Sequence, residues 1–304
     1  MQRNDWHGVY SAITTKLAPD ESVDLAAVKA DVDFQLDARV HGIVCCGSLG
    51  EASTLSADEK LAIAATAKEA SRGRAPVILT IAEDSTRAAA ELAEKAAAAG
   101  VDGLMVLPAM RYVSTPRETI AHFRKVADAS DRDIMIYNNP IAYGVDVTPA
   151  MLAEMAGETK FVAVKESSGD VRRLSDIANL LGERYQLFTG VDDLALESLM
   201  LGAVGWVAGL GCAFPRETMA IYELAQAGRM KEARSIYRWF MPLLHLDVSP
   251  RFVQNIKLAE HMVRGTSTTV RAPRLALEGE EKAQVEAVVA AALRTRPDLA
   301  VYGL

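Results

Sequence analysis

Up to about residue 225, short apolar runs alternate with longer segments of helical pattern, and this alternation restricts the possible folds more than any other feature of the chain. Most runs are nearly continuous in aliphatic residues, as in parallel strands that are buried on both faces. Eight such strands, each followed by a helix, predict a (β/α)8 TIM barrel, with a doubly wound open sheet as the alternative. The predicted strands are Val9–Thr14, Gly42–Cys46, Pro76–Ile81, Gly103–Leu107, Ile134–Tyr137, Phe161–Lys165, Tyr185–Thr189 and Trp206–Gly209.

Helix start signals lie between the strands, and the chain after about residue 226 contains helical patterns alone. Ser56 with Glu59 forms a capping box, and Thr115 precedes a proline and then a glutamate. We therefore predict a catalytic barrel over residues 1–225 and an additional C-terminal helical extension over 226–304, packed on the barrel. The helices predicted in the extension are Met230–Leu246, Phe252–Val263 and Glu280–Leu293.

Composition excludes several classes of protein. The 304 residues carry a formal net charge of −7, which gives no support to nucleic-acid binding. The N-terminus lacks an apolar stretch of signal-peptide length, and no apolar run has the roughly 20 residues that cross a bilayer, so we expect a cytoplasmic protein without a membrane partner. The five histidines and three cysteines lack metal-ligand spacing, so we expect no metal site and buried, unpaired thiols.

In a barrel, reactive groups come from the C-terminal ends of the strands and the loops after them. Lys165 ends an otherwise apolar strand. Poor solvation lowers the pKa of an amine, and a neutral lysine amine attacks carbonyl groups to form imines. Taken alone, the segment fits equally well a lysine that extends to solvent or pairs with Glu166.

Two further strand ends carry polar groups. Tyr137 ends the fifth strand, where a phenol can move protons or simply pack at the barrel mouth. The segment Gly47-Ser48-Leu49-Gly50-Glu51 follows the second strand, and its glycines allow a tight turn that presents backbone N–H groups to an anion such as a carboxylate. Ser48 is a candidate member of a proton relay with Tyr137, and an ordinary loop is the alternative.

These segments, in this order, resemble the dihydrodipicolinate synthase / N-acetylneuraminate lyase family over nearly the whole chain. The motifs are those at Gly47–Glu51, Tyr137–Pro140, Gly144, Lys165–Asp170 and Gly190–Asp193. The resemblance implies a barrel enzyme that forms a Schiff base on Lys165, moves protons through Tyr137 and binds a carboxylate on the N–H groups of Ser48 and Leu49. It implies a homotetramer built as a dimer of dimers, and no metal or organic cofactor.

The chain departs from the lysine-biosynthesis branch at three places. That branch has two threonines where this chain has Ser48 and Leu49, and an arginine near the position of Ala142. It also has a tyrosine pair after the fourth strand, for which Arg111 or Tyr112 is the candidate replacement here.

The chain instead is similar to the branch of 1-pyrroline-4-hydroxy-2-carboxylate deaminases of hydroxyproline catabolism. The motifs that carry this resemblance are Gly47–Glu51, Met110–Ser114, Tyr137–Asp146 and Phe252–Glu260. The expected reaction is loss of the C4 hydroxyl and hydrolytic loss of ammonia from the cyclic imine to give 2,5-dioxopentanoate, on the catalytic residues Lys165, Tyr137 and Ser48. The alternatives, in order, are a 2-keto-3-deoxy sugar acid aldolase or dehydratase, a 4-hydroxy-tetrahydrodipicolinate synthase, and a non-catalytic binder of small molecules. The expected substrate-binding residues are Leu49, Gly47, Met110, Tyr112, Ala142 and Val207.

Overall fold

A closed barrel of eight parallel strands forms the centre of the computed structural model, which describes residues 5–109 and 112–304. Neighbouring strands pair in sequence order and β8 pairs with β1, so the described barrel has no open edge. The strands are β1 (Gly8–Ala12), β2 (Gly42–Cys45), β3 (Val77–Ile81), β4 (Gly103–Val106), β5 (Asp133–Asn138), β6 (Phe161–Glu166), β7 (Gln186–Thr189) and β8 (Gly205–Ala208).

All eight predicted strands are present, so the predicted barrel is confirmed and the open-sheet alternative is wrong. The ends differ by a few residues. The first strand begins and ends earlier than predicted, at Gly8 and Ala12, and the fifth extends by one residue at each end, to Asp133 and Asn138. Continuous apolar runs locate a strand well, but hydrogen bonding to the neighbouring strands decides where it ends.

Helices surround the barrel, and several begin at the predicted caps. The Ser56 side chain accepts from the Glu59 N–H at 3.2 Å while the Glu59 carboxylate accepts from the Ser56 N–H at 2.8 Å, and Thr115 with Glu118 repeats this arrangement. The helices up to the end of the barrel are α1 (Leu25–Asp37), α2 (Ala57–Ser71), α3 (Thr86–Ala98), α4 (Pro116–Asp128), α5 (Pro140–Tyr143), α6 (Pro149–Glu154), α7 (Arg172–Leu181), α8 (Ala195–Met200) and α9 (Pro215–Gln226).

Three longer helices follow: α10 (Met230–Leu244), α11 (Phe252–Arg264) and α12 (Gly279–Arg294). They lie close to the predicted ranges. The Trp239 indole of α10 donates to the Ala292 carbonyl of α12 at 3.2 Å, which joins these two helices. The division of the chain at residue 225 stays a prediction, since the apolar core runs on from the barrel helices into α10 and α11.

A buried ionic cluster joins α11 to the first strand and first helix of the barrel. Lys16, just after β1, lies 2.6 Å from Glu260 and 3.1 Å from Asp31, and Arg264 lies 2.6 Å from Glu260 and also pairs with Asp31. Thr14 donates a further hydrogen bond to Glu260 at 2.7 Å. Removing one partner from such a cluster leaves a charge without water or a counter-ion, which is more costly than the net gain from forming the pair.

The remaining expectations from composition concern thiols and membranes. Cys45, Cys46 and Cys212 are all buried and unpaired, as predicted. Within the described residues, every helix is too short or too polar to span a bilayer.

We predict that Lys16→Met lowers the free energy of unfolding by about 3–5 kcal/mol, because Asp31 and Glu260 would lose a buried counter-ion. Denaturant titration measures the change. The matched control is Lys29→Met, which removes a partly exposed pair with Asp33 and should cost about 0–1 kcal/mol. Equal losses in the two variants would contradict the account of the cluster.

Candidate active site

The barrel brings the predicted lysine and tyrosine side by side. Tyr137 on β5 is in register with Lys165 on β6, and the Lys165 Nζ lies 4.0 Å from the centroid of the Tyr137 ring. Both side chains are buried at the C-terminal ends of their strands. This is the end of the barrel where the fold places reactive groups.

Burial dominates the electrostatics of the lysine. It lowers the pKa of Lys165 below the ordinary lysine value, and the negative groups Tyr143, Asp247 and Asp192 oppose that shift without cancelling it. The amine therefore loses its proton more readily than an exposed lysine does. This is the condition under which it acts as a nucleophile toward a carbonyl carbon.

Glu166 does not pair with Lys165, so that alternative for the lysine is wrong. Successive strand residues point to opposite faces, and the Glu166 carboxylate faces away from the amine. It accepts hydrogen bonds from the Asn138 side chain at 3.1 Å and from the Ser168 N–H at 2.6 Å. Lys165 is thus left without a carboxylate partner in direct contact among the described residues.

Tyr137 has neighbours that favour its phenolate as well as burial that disfavours it. Burial raises the pKa of Tyr137, while hydrogen bonding from Asn139, Ser167 and Ser48 acts in the opposite direction. The Asn139 side chain donates to the phenol oxygen at 3.1 Å. Such donors stabilise a phenolate that forms transiently, which is the requirement for a group that gives up and takes back a proton.

A second tyrosine completes the hydroxyl groups of the site. Tyr143, at the end of the short helix α5, has its phenol in direct hydrogen-bonding contact with the Ser48 hydroxyl. Its ring packs edge-on against Tyr137, with centroids 5.9 Å apart. Ser48 therefore contacts Tyr143, which in turn packs against Tyr137. The relay between Ser48 and Tyr137 stays a prediction.

The loop after β2 offers backbone donors. Among the described residues, the N–H groups of Ser48 and Leu49 have no hydrogen-bond acceptor. The Leu49 side chain is buried in the apolar core between the barrel and the helices, so its backbone is the part available to a ligand. Two neighbouring free N–H groups suit a carboxylate oxygen.

Glu51 stabilises this loop through buried contacts with the C-terminal part of the chain. Glu51 adopts a left-handed backbone conformation with φ of 58°, and its buried carboxylate accepts from Lys257 of α11 at 2.5 Å and from the Arg271 N–H at 3.0 Å. Because left-handed backbone is unfavourable for a glutamate, these contacts hold the turn in place. The C-terminal helices thus support the candidate carboxylate site.

The other predicted binding residues differ in how far they are buried. Gly47 is buried, and Val207 packs inside the barrel with Tyr137. Ala142 is exposed, with its N–H donated to Asn139, and the Tyr112 side chain is 62% exposed on the loop after β4. Met110 lies outside the described residues, as does Arg111. The binding roles of these residues stay predictions.

Sequence reasoning did not find the carboxylate of Asp247, which follows α10. Its side chain lies against Gly209, just after β8, and its charge raises the pKa of Lys165 and of Tyr137. Asp192 belongs to the Gly190–Asp193 motif of the sequence, which gave it no role. It is in fact fully buried and accepts from the Trp206 indole at 2.9 Å, the Leu210 N–H at 2.7 Å and the Gly209 N–H at 3.2 Å.

Within residues 5–109 and 112–304, no three His, Cys, Asp or Glu side chains are grouped as metal ligands. The chemistry that this arrangement offers is that of a desolvated amine beside a phenol, with an anion-binding loop next to it. That combination suits a carbonyl compound that carries a carboxylate.

Comparison with known proteins agrees with this chemistry. The Dihydrodipicolinate synthetase family profile matches residues 5–292. A 4-hydroxy-tetrahydrodipicolinate synthase of Koribacter versatilis is 30% identical over 288 residues, covering 94% of this chain and 95% of that protein. The corresponding synthase of Caldicellulosiruptor bescii is 32% identical over 242 residues, covering 79% of this chain and 82% of that protein.

Solved structures give the same result. The 4-hydroxy-tetrahydrodipicolinate synthase of Methylacidiphilum fumariolicum SolV superposes with a TM-score of 0.91 at 26% identity, covering 97% of each chain. The dihydrodipicolinate synthase of Aquifex aeolicus superposes with a TM-score of 0.90 at 28% identity, covering 94% of this chain and 98% of that one.

These relatives correct the functional prediction. The prediction of a 1-pyrroline-4-hydroxy-2-carboxylate deaminase in hydroxyproline catabolism, with the synthase ranked below it, is wrong, because the curated relatives at about 30% identity are named 4-hydroxy-tetrahydrodipicolinate synthase. The error came from weighting single substitutions at Leu49 and Ala142 above the similarity of the whole chain. The predicted family and the lysine Schiff-base mechanism common to it are confirmed.

We predict that Gly190→Ala lowers the yield of any covalent adduct at Lys165 by about 100-fold, since misplacing a reactive group by an ångström has effects of that size. A Cβ at residue 190 would overlap the Lys165 side chain and the Ser167 hydroxyl. Mass spectrometry after borohydride reduction measures the adduct.

The matched control is Gly157→Ala, because nothing lies within 4 Å of a Cβ at residue 157. This variant should give the wild-type yield. An unchanged yield in Gly190→Ala would show that Lys165 is not the reacting amine or does not need its observed position.

Proposed function

The chain belongs to the dihydrodipicolinate synthetase family, and from this we propose that it is a lyase that binds a 2-oxo acid as an imine on Lys165 and joins it to an aldehyde. Pyruvate is the simplest such acid. The observation that carries the proposal is the buried Lys165 amine over the Tyr137 ring. Tyr143 links this pair to Ser48, whose N–H group is free together with that of Leu49.

The proposed reaction begins at the carbonyl carbon of the acid. The neutral Lys165 amine attacks C2, water leaves, and a protonated imine forms while the carboxylate lies on the Ser48 and Leu49 N–H groups. Loss of a proton from C3 gives an enamine, because the imine accepts the electron pair. C3 then bonds to the aldehyde carbon, the aldehyde oxygen takes up a proton, and hydrolysis releases the product and the free amine.

Hydroxyl groups of the site would move these protons. Tyr137 is beside the amine, and Tyr143 links it to Ser48, so protons can pass between the imine and the mouth without a carboxylate in contact with Lys165. Because the imine itself is the electron sink, the proposed reaction needs no metal or organic cofactor.

The names of the relatives indicate the aldehyde to test first. A 4-hydroxy-tetrahydrodipicolinate has a ring nitrogen, a hydroxyl group and two carboxylates on seven carbons. Subtracting pyruvate leaves a four-carbon aldehyde that carries an amine and a carboxylate. We propose this amino aldehyde as the co-substrate. Its carboxylate would have no cationic partner at Ala142, near which the lysine-biosynthesis branch has an arginine.

We also propose that the protein acts in the cytoplasm as a homotetramer. The side chains of Tyr112 and Val113 support assembly, because they are 62% and 71% exposed on a loop at the barrel mouth, where an apolar surface favours contact with another copy. Light scattering on the purified protein should give a mass four times 32.8 kDa. A monomer mass at micromolar concentration would contradict this part of the proposal.

We predict that Lys165→Arg abolishes borohydride-trapped pyruvate and all turnover, because a guanidinium stays charged and forms no imine. Peptide mapping of the wild type should place the adduct on Lys165 alone. Lys282→Arg, which changes an exposed lysine, is the control and should behave as wild type. An adduct that persists in Lys165→Arg would overturn the proposal.

The pH dependence of trapping follows from the same amine. Burial lowers the pKa of Lys165, so the neutral form is present at lower pH than for an exposed lysine. The initial trapping rate should fall as the pH drops through the pKa of Lys165, and this fall should lie at lower pH than the pKa of an exposed lysine. A fall at the pH of an exposed lysine would contradict the desolvation of the amine.

A further inference from the structure

Asp247 brings a carboxylate from the C-terminal helices to the mouth of the barrel. It lies in the turn that follows α10, where its N–H donates to the Leu244 carbonyl at 3.0 Å. Its side chain lies against Gly209, the residue after β8. A Cβ built on Gly209 would be 2.5 Å from the Asp247 Oδ1 and 2.9 Å from its Cγ. The carboxyl group therefore occupies the space that a larger residue at 209 would fill.

The Asp247 carboxyl group interacts electrostatically with the reacting amine. Its charge acts on Lys165 and on Tyr137, and Lys165 in turn acts on it. Asp247 lies against the residue that follows β8, whereas the N–H groups of Ser48 and Leu49 belong to the loop after β2. We therefore expect Asp247 and the loop after β2 to contact different parts of an acid that is bound as an imine on Lys165.

The neighbouring acidic side chains already have hydrogen-bond or ion-pair partners, whereas the Asp247 side chain does not among the described residues. Asp192 accepts three N–H donors, and Asp193 pairs with His245 at 3.0 Å. The Asp247 side chain has no hydrogen-bond partner in the described part of the chain. It is partly exposed, so a ligand in the mouth can reach it.

We propose that Asp247 is a catalytic acid–base residue that protonates the aldehyde oxygen when the new carbon–carbon bond forms. As the enamine C3 bonds to the aldehyde carbon, the carbonyl π electrons move to oxygen, and that oxygen takes the proton of the Asp247 carboxyl group. In the cleavage direction the Asp247 carboxylate removes the hydroxyl proton as the same bond breaks. This role rests on the proposed function, since it needs an enamine on Lys165.

The charge state of the group suits this role. Burial and the charge of Asp192 raise the pKa of Asp247 well above its usual range, with Lys165 opposing the rise. A carboxyl group with a raised pKa keeps its proton to higher pH than an ordinary aspartate and can serve as a general acid over that wider range. When Lys165 becomes a cationic imine, it favours the carboxylate, which helps Asp247 to release the proton at this step.

The test compares Asp247→Asn with wild type in three assays that use pyruvate. We expect borohydride trapping and deuterium exchange at the pyruvate methyl group to stay within about twofold, because neither involves an aldehyde. Condensation with the four-carbon amino aldehyde, or with glycolaldehyde, should fall by about 100-fold or more, in the range for loss of a general acid. Circular dichroism and thermal unfolding confirm that the variant folds.

The pH profile separates proton transfer from a structural effect. In wild type the condensation rate should fall as the pH rises through the pKa of Asp247, since the protonated form is the active one, and Asp247→Asn should lack this fall. The groups that face Asp247 and also titrate are Lys165, Tyr137, Asp192 and Asp193, the last in contact with His245. Asp193→Asn is therefore the matched control. It should keep the condensation rate at low pH and should still show the fall, shifted to lower pH, because loss of the Asp193 charge lowers the pKa of Asp247.

Gly209→Ala provides a second variant that displaces the carboxyl group without removing it. It should lower condensation in the same way and leave trapping intact. Wild-type condensation by Asp247→Asn would overturn this inference while leaving the proposed function standing. Trapping of pyruvate by wild type with no condensation to either aldehyde would also overturn it, whereas absence of trapping would overturn the proposed function itself.

Discussion

The desolvation of one amine determines how the whole site works. Lys165 follows four apolar residues of β6, and it lies at the mouth of a barrel whose interior is filled by packed side chains. Charging an amine there costs more than in water, so its pKa falls and its neutral form becomes available. Had Glu166 pointed to the same face, the pair would have stayed charged, and the alternation of side chains along β6 prevents this.

The C-terminal helices are part of the functional architecture. The ionic cluster of Lys16, Asp31, Glu260 and Arg264 joins α11 to the start of the barrel. Lys257 of the same helix pairs with Glu51, which belongs to the candidate carboxylate-binding loop. The turn after α10 adds Asp247 to the mouth. Loss of packing between these helices and the barrel would therefore disturb binding of the acid as well as stability.

The sequence was sufficient for the fold and for the residues that lie at strand ends. Apolar runs predicted every strand, and barrel geometry then placed Lys165 beside Tyr137 and near the loop at Ser48. It was insufficient for groups whose position depends on tertiary packing. Asp247 follows a helix and has no sequence pattern around it, so only the path of the chain over β8 shows that it reaches the site.

The contact between Tyr143 and Ser48 was also not predictable from a sequence pattern. Tyr143 was visible in the sequence, but its contact with Ser48 depends on the short helix α5 that the loop forms after Pro140. The branch prediction failed for a different reason. It relied on a few short motifs and on the absence of an arginine at Ala142, and these constrain a substrate less than the similarity of the whole chain does.

A crystal structure of the protein after incubation with pyruvate tests the central claim most directly. The account predicts continuous density from the Lys165 Nζ to C2 of the acid, with the carboxylate within hydrogen-bonding distance of the Ser48 and Leu49 N–H groups. Pyruvate bound without a covalent link, or linked to another lysine, would contradict it.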